Sequence, residues 1–286
     1  MIKSFIYPDI KETDRTYSGF SSPIILLDGD WRQFLPLNED QRVAGVESSA
    51  CFIEAQQAII ATLMEVIYGI KDSNFSARFN ALLSGGTEVG GDPIQGALSI
   101  KKDGLVSQSS MDWNDVSSWD YFHSWNGVDK EKCLLEGKNF VNQWDMSYRI
   151  VFEKDCPIET KYVLLKEALK RSPVAVSVYA WVEKDGVYYK PEGVRDTHLT
   201  MVAVSVNDKG QVIVRDTYFP YLKTLEKDTD FEFAMSWAIR KRNPQEQLQE
   251  IQKSLIIILR DYVLQLFRKI YKVGGAILSG IFSKRN

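Results

Sequence analysis

Only three cysteines occur in 286 residues, Cys51, Cys133 and Cys156, and only two histidines, His123 and His198. A sparse, odd set of thiols excludes the disulfide framework of small secreted domains and favours a reducing compartment. His123, Cys133 and Cys156 are too irregularly spaced for a zinc knuckle, so neither a metal site nor a cofactor is expected. Charge of one sign is lacking as well. The formal net charge is -3, which gives no basic field for nucleic acid. The first twenty residues show no basic, then apolar, then small-residue layout, so a non-secreted chain is expected. No internal repeat is visible.

What is present is an ordinary globular mixture, 44% hydrophobic and 26% charged, long enough for one large domain or two lobes. The first forty residues read as irregular, punctuated by Pro8, Pro23 and Pro36. In "GVESSACFIEAQQAIIATLMEV" a cysteine opens a helical run. Ser48 and Ser49 are candidate N-caps, Phe52, Ala55, Ile59, Leu63 and Val66 are the apolar positions, and Gly69 is the stop. A glycine-rich loop follows, and Pro93 inside it opens a short helix that closes near Gly104. Residues 107–160 have weak periodicity and read as long loops and short pieces. From Lys161, "KYVLLKEALKRS" is an amphipathic helix. "PVAVSVYAWV", "GVYYK", "HLTMVAVSV" and "QVIVRDTYF" are β-branched and aromatic strand runs. Helices first and strands second indicate an α+β protein. After Asn243-Pro244, Leu248, Ile251, Leu255, Ile258, Tyr262, Leu266 and Ile270 mark one stripe of a long helix. Its charges interrupt the roughly 20 apolar residues that a membrane span needs. Docking on the body or on copies of itself is the expected role, with shallow membrane contact of its basic face the lesser alternative.

Cys51 carries the sharpest chemical signal. Unpaired N–H groups and the dipole at a helix start favour thiolate over thiol. The competing reading is a small buried residue anchoring the helix. Cys133 and Cys156 lie among charged side chains with no comparable helix start and read as structural. A thiolate nucleophile works best with a base beside it. His198 opens a strand and suits that role, whereas His123, in the aromatic loop "YFHSWN", reads as packing.

"SSACF" resembles the nucleophile segment of the papain-like cysteine peptidases, and "EVGGDPIQGALSIKKDGLV" is similar to that family's glycine loop and following helix. "LKEALKRSPVAVSVYAW" is similar to its helix–strand step, and "THLTMVAVSVNDKGQVIVRDTYF" to its histidine strand and hairpin. The four segments run in the family's order over about 45–225. The separation of Cys51 and His198, about 150 residues, matches papain-type enzymes. Phage-encoded papain-like proteins are the nearest likeness within the family, with "LPLNEDQ" and "SARFNALLSGGT" adding to it. The resemblance implies Cys51 as nucleophile and His198 as base and later acid. Asp216 stands where the family has Asn, and Gly90 and Gly91 form a backbone rail for an extended peptide. The family's oxyanion Gln lies a few residues before the Cys. Here that stretch is "GVESS", and Gln41, ten residues upstream, would reach back only over a longer loop. Glu47 is nearer, but a carboxylate would repel the oxyanion. The Trp that shields the family's His–Asn pair is absent, and Tyr218 or Phe219 is the candidate cover.

Hairpin parity bears on Asp216. Asp208, Lys209 and Gly210 form a three-residue loop, with Asn207 opposite Gln211. That register sets Asp216 opposite Val202, roughly 13 Å along the strand from His198, so a bulge, bend or other register has to close the gap.

The expected architecture is thus a papain-like two-lobed α+β fold with a C-terminal helical extension. A papain-like domain covers 1–242, with a helical lobe at about 45–130 and an antiparallel β lobe at about 161–242. The extension covers 243–286 and serves assembly or docking. The expected function is a cysteine peptidase or thiol amidohydrolase using Cys51, His198 and Asp216 on a peptide or protein substrate. The chain would be cytoplasmic in a host cell or associated with a virion. Two rivals remain. One is a catalytically silent structural or binding module, as in a phage particle. The other is a transglutaminase-like acyl transferase with the same Cys–His pair.

Overall fold

Helix α1 (Cys51–Tyr68) is enclosed by the rest of its own unit, with every residue from Cys51 to Met64 buried. A helix enclosed on all sides needs partners for its polar residues as well as its apolar ones. Gln56 Nε2 donates to the Phe52 and Pro93 carbonyls at 2.6 and 3.0 Å. Gln57 Nε2 donates to the Ser76 carbonyl and Asn80 Oδ1 at 3.1 and 3.0 Å. The computed structural model describes residues 5–17, 22–38, 40–43, 45–113, 115–179, 181–190, 198–243, 245 and 259–260. Two compact units divide the chain, Met1–Arg240 and Lys241–Asn286. The helix expected after Asn243 lies outside the described residues, apart from Gln245, Leu259 and Arg260.

Two short 3-10 turns, Glu12–Arg15 and Arg32–Phe34, and a small hairpin, β1 (Arg42–Val43) with β2 (Val46–Glu47), precede α1. Ser48 and Ser49 do not cap it. Ala50 holds the N-cap position with no side-chain bond. The Ser48 hydroxyl accepts from the Ala50 N–H at 3.3 Å, and the Ser49 hydroxyl donates to the Glu88 carbonyl at 2.7 Å. The second serine therefore ties the helix start to the glycine-rich loop. Helices α2 (Ala77–Leu83) and α3 (Pro93–Asp103) pack on α1. The Asp92 carboxylate caps α3 by accepting from the Ile94 N–H at 2.7 Å.

The stretch 107–160 holds more regular structure than its weak periodicity predicts. Helices α4 (Trp119–Phe122) and α5 (Lys130–Gln143) lead directly into strand β3 (Trp144–Glu153). Only Cys133 and Gly137 of α5 are buried, so its sequence carries almost no apolar stripe. The loops before it are held from outside. The buried Arg78 guanidinium of α2 donates to the carbonyls of Asp112, Tyr121, Phe122, Ser124 and Asn126 at 2.8–3.0 Å.

The remaining elements are α6 (Ile158–Leu169), β4 (Val174–Tyr179), β5 (Val182–Lys184), β6 (Val187–Tyr189), β7 (His198–Val206), β8 (Val212–Arg215), β9 (Leu222–Leu225) and β10 (Phe233–Lys241). They join β3 in one eight-stranded sheet of order β3-β10-β4-β7-β8-β9-β6-β5. The β10–β4, β4–β7, β7–β8, β8–β9 and β5–β6 pairings are antiparallel, and β6–β9 is parallel. Helix α1 lies against β7.

The β7–β8 hairpin turns as its sequence predicts. The Asn207 N–H donates to the Gln211 carbonyl at 3.0 Å, and Gly210 takes φ +78°, a left-handed value that suits glycine. Beyond the turn the expected register fails. Ser205 pairs with Ile213 but Ala203 with Val214, so one extra residue bulges out of β7. Arg215, not Asp216, then lies opposite Val202. Asp216 falls level with Met201, three residues from His198, or roughly 10 Å along a strand. The inserted residue also reverses the parity that the odd loop establishes. Asp216 shares a face with Val214 and Lys223, while the His198 position alternates with Met201.

Candidate functional site

Cys51 is the first residue of α1 and has no exposed surface. Its Sγ accepts a hydrogen bond from the Thr200 N–H at 3.4 Å. Thr200 lies on β7 two residues after His198, whose Cα is opposite that of Tyr179 on β4. The helix start and the histidine strand expected from the sequence therefore meet at the sulfur. An N–H donor stabilises the anionic form of the acceptor it faces, so this contact favours thiolate.

Gln41 is brought to the same place by the small hairpin. Arg42 pairs with Glu47, Val43 with Val46, and the Ser48 N–H donates to the Gln41 carbonyl at 3.1 Å. The ten-residue gap in sequence closes to three, because the residues between fold back on themselves. The Gln41 amide is fully engaged. Its Oε1 accepts from Thr217 Oγ1 at 2.7 Å, and its Nε2 donates to Tyr218 OH at 2.6 Å and to Glu47 Oε1. Tyr218 OH in turn donates to Glu47 Oε2 at 2.6 Å, and the Ser49 N–H donates to Glu47 Oε1 at 3.1 Å. Glu47, which sequence suggested would oppose an oxyanion, is occupied by these donors. Burial, then the Glu47 carboxylate, then Cys51 push the Tyr218 hydroxyl far above its ordinary pKa, so it stays a neutral donor.

Asp216 is buried and accepts from its neighbour, the Thr217 N–H, at 2.7 Å. Its other oxygen forms an ion pair with Lys223 Nζ. Burial raises its pKa, against the lowering pull of Lys223. Lys223 is a residue that the sequence reading missed. A lone lysine in "YLKTLEK" gives no signal until β9 is placed beside β8.

Gly90 and Gly91 stand at the far side of the loop that Ser49 holds. The Gly90 N–H and carbonyl both pair with Thr87 at 2.9 Å. Gly91 is required by packing, since a Cβ there would lie 2.2 Å from the Phe52 ring. The Gly91 carbonyl accepts from the Ile6 N–H at 3.0 Å, and Phe5 forms a parallel bridge with Gly91. Phe5 is buried against Phe233, with ring centroids 6.0 Å apart. The chain's own amino-terminal segment thus occupies the expected peptide rail.

His123 stacks on Trp119 with centroids 4.2 Å apart, and burial drives its pKa down to about 4. Cys133 is buried, and its thiol donates to the Ser110 carbonyl at 3.3 Å. Cys51, Cys133 and Cys156 are all free thiols. The described residues contain no cluster of three or more His, Cys, Asp or Glu able to hold a metal.

No protein-family model matches the sequence, and no curated protein matches it. Solved structures do. Xylellain, a cysteine protease from Xylella fastidiosa, superposes with a TM-score of 0.60 at 13% identity, covering 85% of this chain and 98% of that one. Procathepsin B S9 from Trypanosoma congolense gives 0.51 at 15% identity, covering 84% of each chain. Bromelain from Ananas comosus, in complex with the E64 inhibitor, gives 0.50 at 16%, covering 73% of this chain and 97% of that one. At such identities the likeness is one of fold. The chain has the papain-like cysteine protease fold, an α+β architecture with a helical part and an antiparallel sheet.

Proposed function

We propose that this chain is a papain-like thiol peptidase whose chemistry is carried by Cys51 and His198. The observation that carries the proposal is the Cys51 sulfur at the start of α1, 3.4 Å from the Thr200 nitrogen on the strand that His198 opens. Thr200 is two residues along β7 from His198, roughly 7 Å of strand. The thiolate attacks a peptide carbonyl carbon, and the carbonyl oxygen becomes an oxyanion. The Cys51 N–H and one Gln41 amide hydrogen, turned from Glu47 or Tyr218, receive it. His198 gives its proton to the leaving amine, the C–N bond breaks and a thioester remains. Water then adds to the thioester as His198 takes its proton, releasing the acid and restoring the thiolate. Asp216, on the other face from the His198 position and ion-paired with Lys223, takes no step in this sequence.

A second reading is favoured by one specific observation. Cys51 has no exposed surface, and Ile6 holds the Gly91 carbonyl, as in a silent module whose cleft is filled by its own chain. Fluorescein-labelled casein distinguishes the two readings. The peptidase reading expects hydrolysis that rises at least about threefold in Phe5→Ala/Ile6→Pro, which removes the ring and the N–H seated on the rail. That factor corresponds to less than one ordinary hydrogen bond. No hydrolysis by either protein would leave the silent module.

A further inference from the structure

Lys223 is buried in β9, and its ammonium has three acceptors for its three hydrogens. Asp216 Oδ2 takes one, the Tyr218 carbonyl takes another at 2.6 Å, and the Pro220 carbonyl takes the third at 2.8 Å. The rings of Trp181 and Tyr188 flank the same nitrogen at 5.1 and 5.5 Å, a favourable place for a cation. The three acceptors all lie within 216–220, the turn between β8 and β9. That turn is joined to Gln41 by three bonds. The Gln41 N–H donates to the Thr217 carbonyl at 3.2 Å, Thr217 Oγ1 donates to Gln41 Oε1, and Gln41 Nε2 donates to Tyr218 OH.

From this chain of contacts we infer that Lys223 is a positioning residue for the proposed hydrolysis, clamping the 216–220 turn so that Thr217 and Tyr218 hold Gln41 beside Cys51. The inference rests on the peptidase reading for its catalytic consequence, but the clamp itself does not. A compact ammonium with three rotatable donors fits three converging acceptors, whereas the planar guanidinium of Arg does not. The effect on chemistry is specific. Amide hydrolysis needs a donor for the oxyanion, while alkylation of a thiolate by iodoacetamide does not.

Lys223→Met should therefore lower casein hydrolysis by about 10- to 100-fold, at or below the loss of a whole oxyanion donor. The alkylation rate of Cys51 should stay within about twofold of wild type, since the helix start and the Thr200 N–H are untouched. A parallel fall in both rates would assign Lys223 a general structural role and overturn the inference, as would no fall in hydrolysis. Amide hydrogen exchange tests the clamp whether or not the wild type hydrolyses casein. The Gln41 amide should exchange at least about tenfold faster in Lys223→Met, while α1 amides keep their protection. Unchanged exchange at Gln41 overturns the clamp, whereas absent hydrolysis in the wild type overturns only the peptidase reading. If Lys223→Met fails to fold because Asp216 is left unpaired, Asp216→Asn/Lys223→Met removes both charges together and is held to the same exchange result.

Discussion

Cys51 and Cys133 are both buried thiols near the start of a helix, yet the backbone group that each one faces differs. Cys51 opens α1 and Cys133 lies in the first turn of α5, so position relative to a helix dipole does not separate them. The direction of the hydrogen bond does. Cys51 Sγ accepts from a backbone N–H, whereas the Cys133 thiol donates to a carbonyl. The first arrangement favours the thiolate and the second the thiol. Burial is the largest cause raising the Cys133 pKa, and Glu136 and Asp129 add to it. A helix start makes a cysteine a candidate; the polarity of its nearest backbone group decides between candidates.

The largest expected effect breaks this comparison outright if it is absent. Cys51→Ala should abolish casein hydrolysis, a loss of at least about a thousandfold for removal of a nucleophile, with the fold retained. Cys133→Ala should leave the rate within about twofold once the protein is folded. Loss of activity in a folded Cys133→Ala protein would transfer the chemistry to the wrong thiol. A smaller effect sharpens the contrast in the absence of any substrate. In Phe5→Ala/Ile6→Pro, Cys51 should be alkylated by iodoacetamide at pH 7 about tenfold or more faster than Cys133, as peptide mapping by mass spectrometry would show. Equal rates would mean that the Thr200 N–H does not activate the sulfur.

The same contrast shows what was legible in the sequence. Cys51, Gly69 and Pro93 announce α1 and α3 because punctuation and apolar spacing coincide there. The strands from Val174 to Arg215 announce themselves by β-branched runs. Helix α5 was hidden because it buries so little of itself, and with it went the evidence that Cys133 also has a helix start. Gln41 was visible as a residue but not as a neighbour. Its closeness to Ser48 depends on a hairpin with two-residue strands, too short to leave a pattern. The bulge in β7 was invisible for a different reason. A single extra residue in "HLTMVAVSV" changes no propensity, yet it moves Asp216 to the other face and hands it to Lys223. Contacts made by one long side chain across a sheet, as with Lys223, come only from the register.

The two histidines provide the finest test, because they divide as the two thiols do. Burial holds His123 neutral down to a pKa of about 4, with an opposing bond to the Ser48 backbone and a further lowering from Arg78. Its pKa in the unfolded chain is near 6.5. Between those values the unfolded state binds the extra proton and the native state does not. Stability therefore rises with pH across that window and is lost as pH falls from about 6.5 toward 4. His123→Phe keeps the stack on Trp119 and removes the titrating group, so its urea midpoint should fall less steeply over this window than that of the wild type. The pH dependence of casein hydrolysis between pH 5 and 8 should be unchanged in the same variant, since His123 carries no charge change there. A displaced kinetic limb would mean that His123, not His198, is the base that serves Cys51.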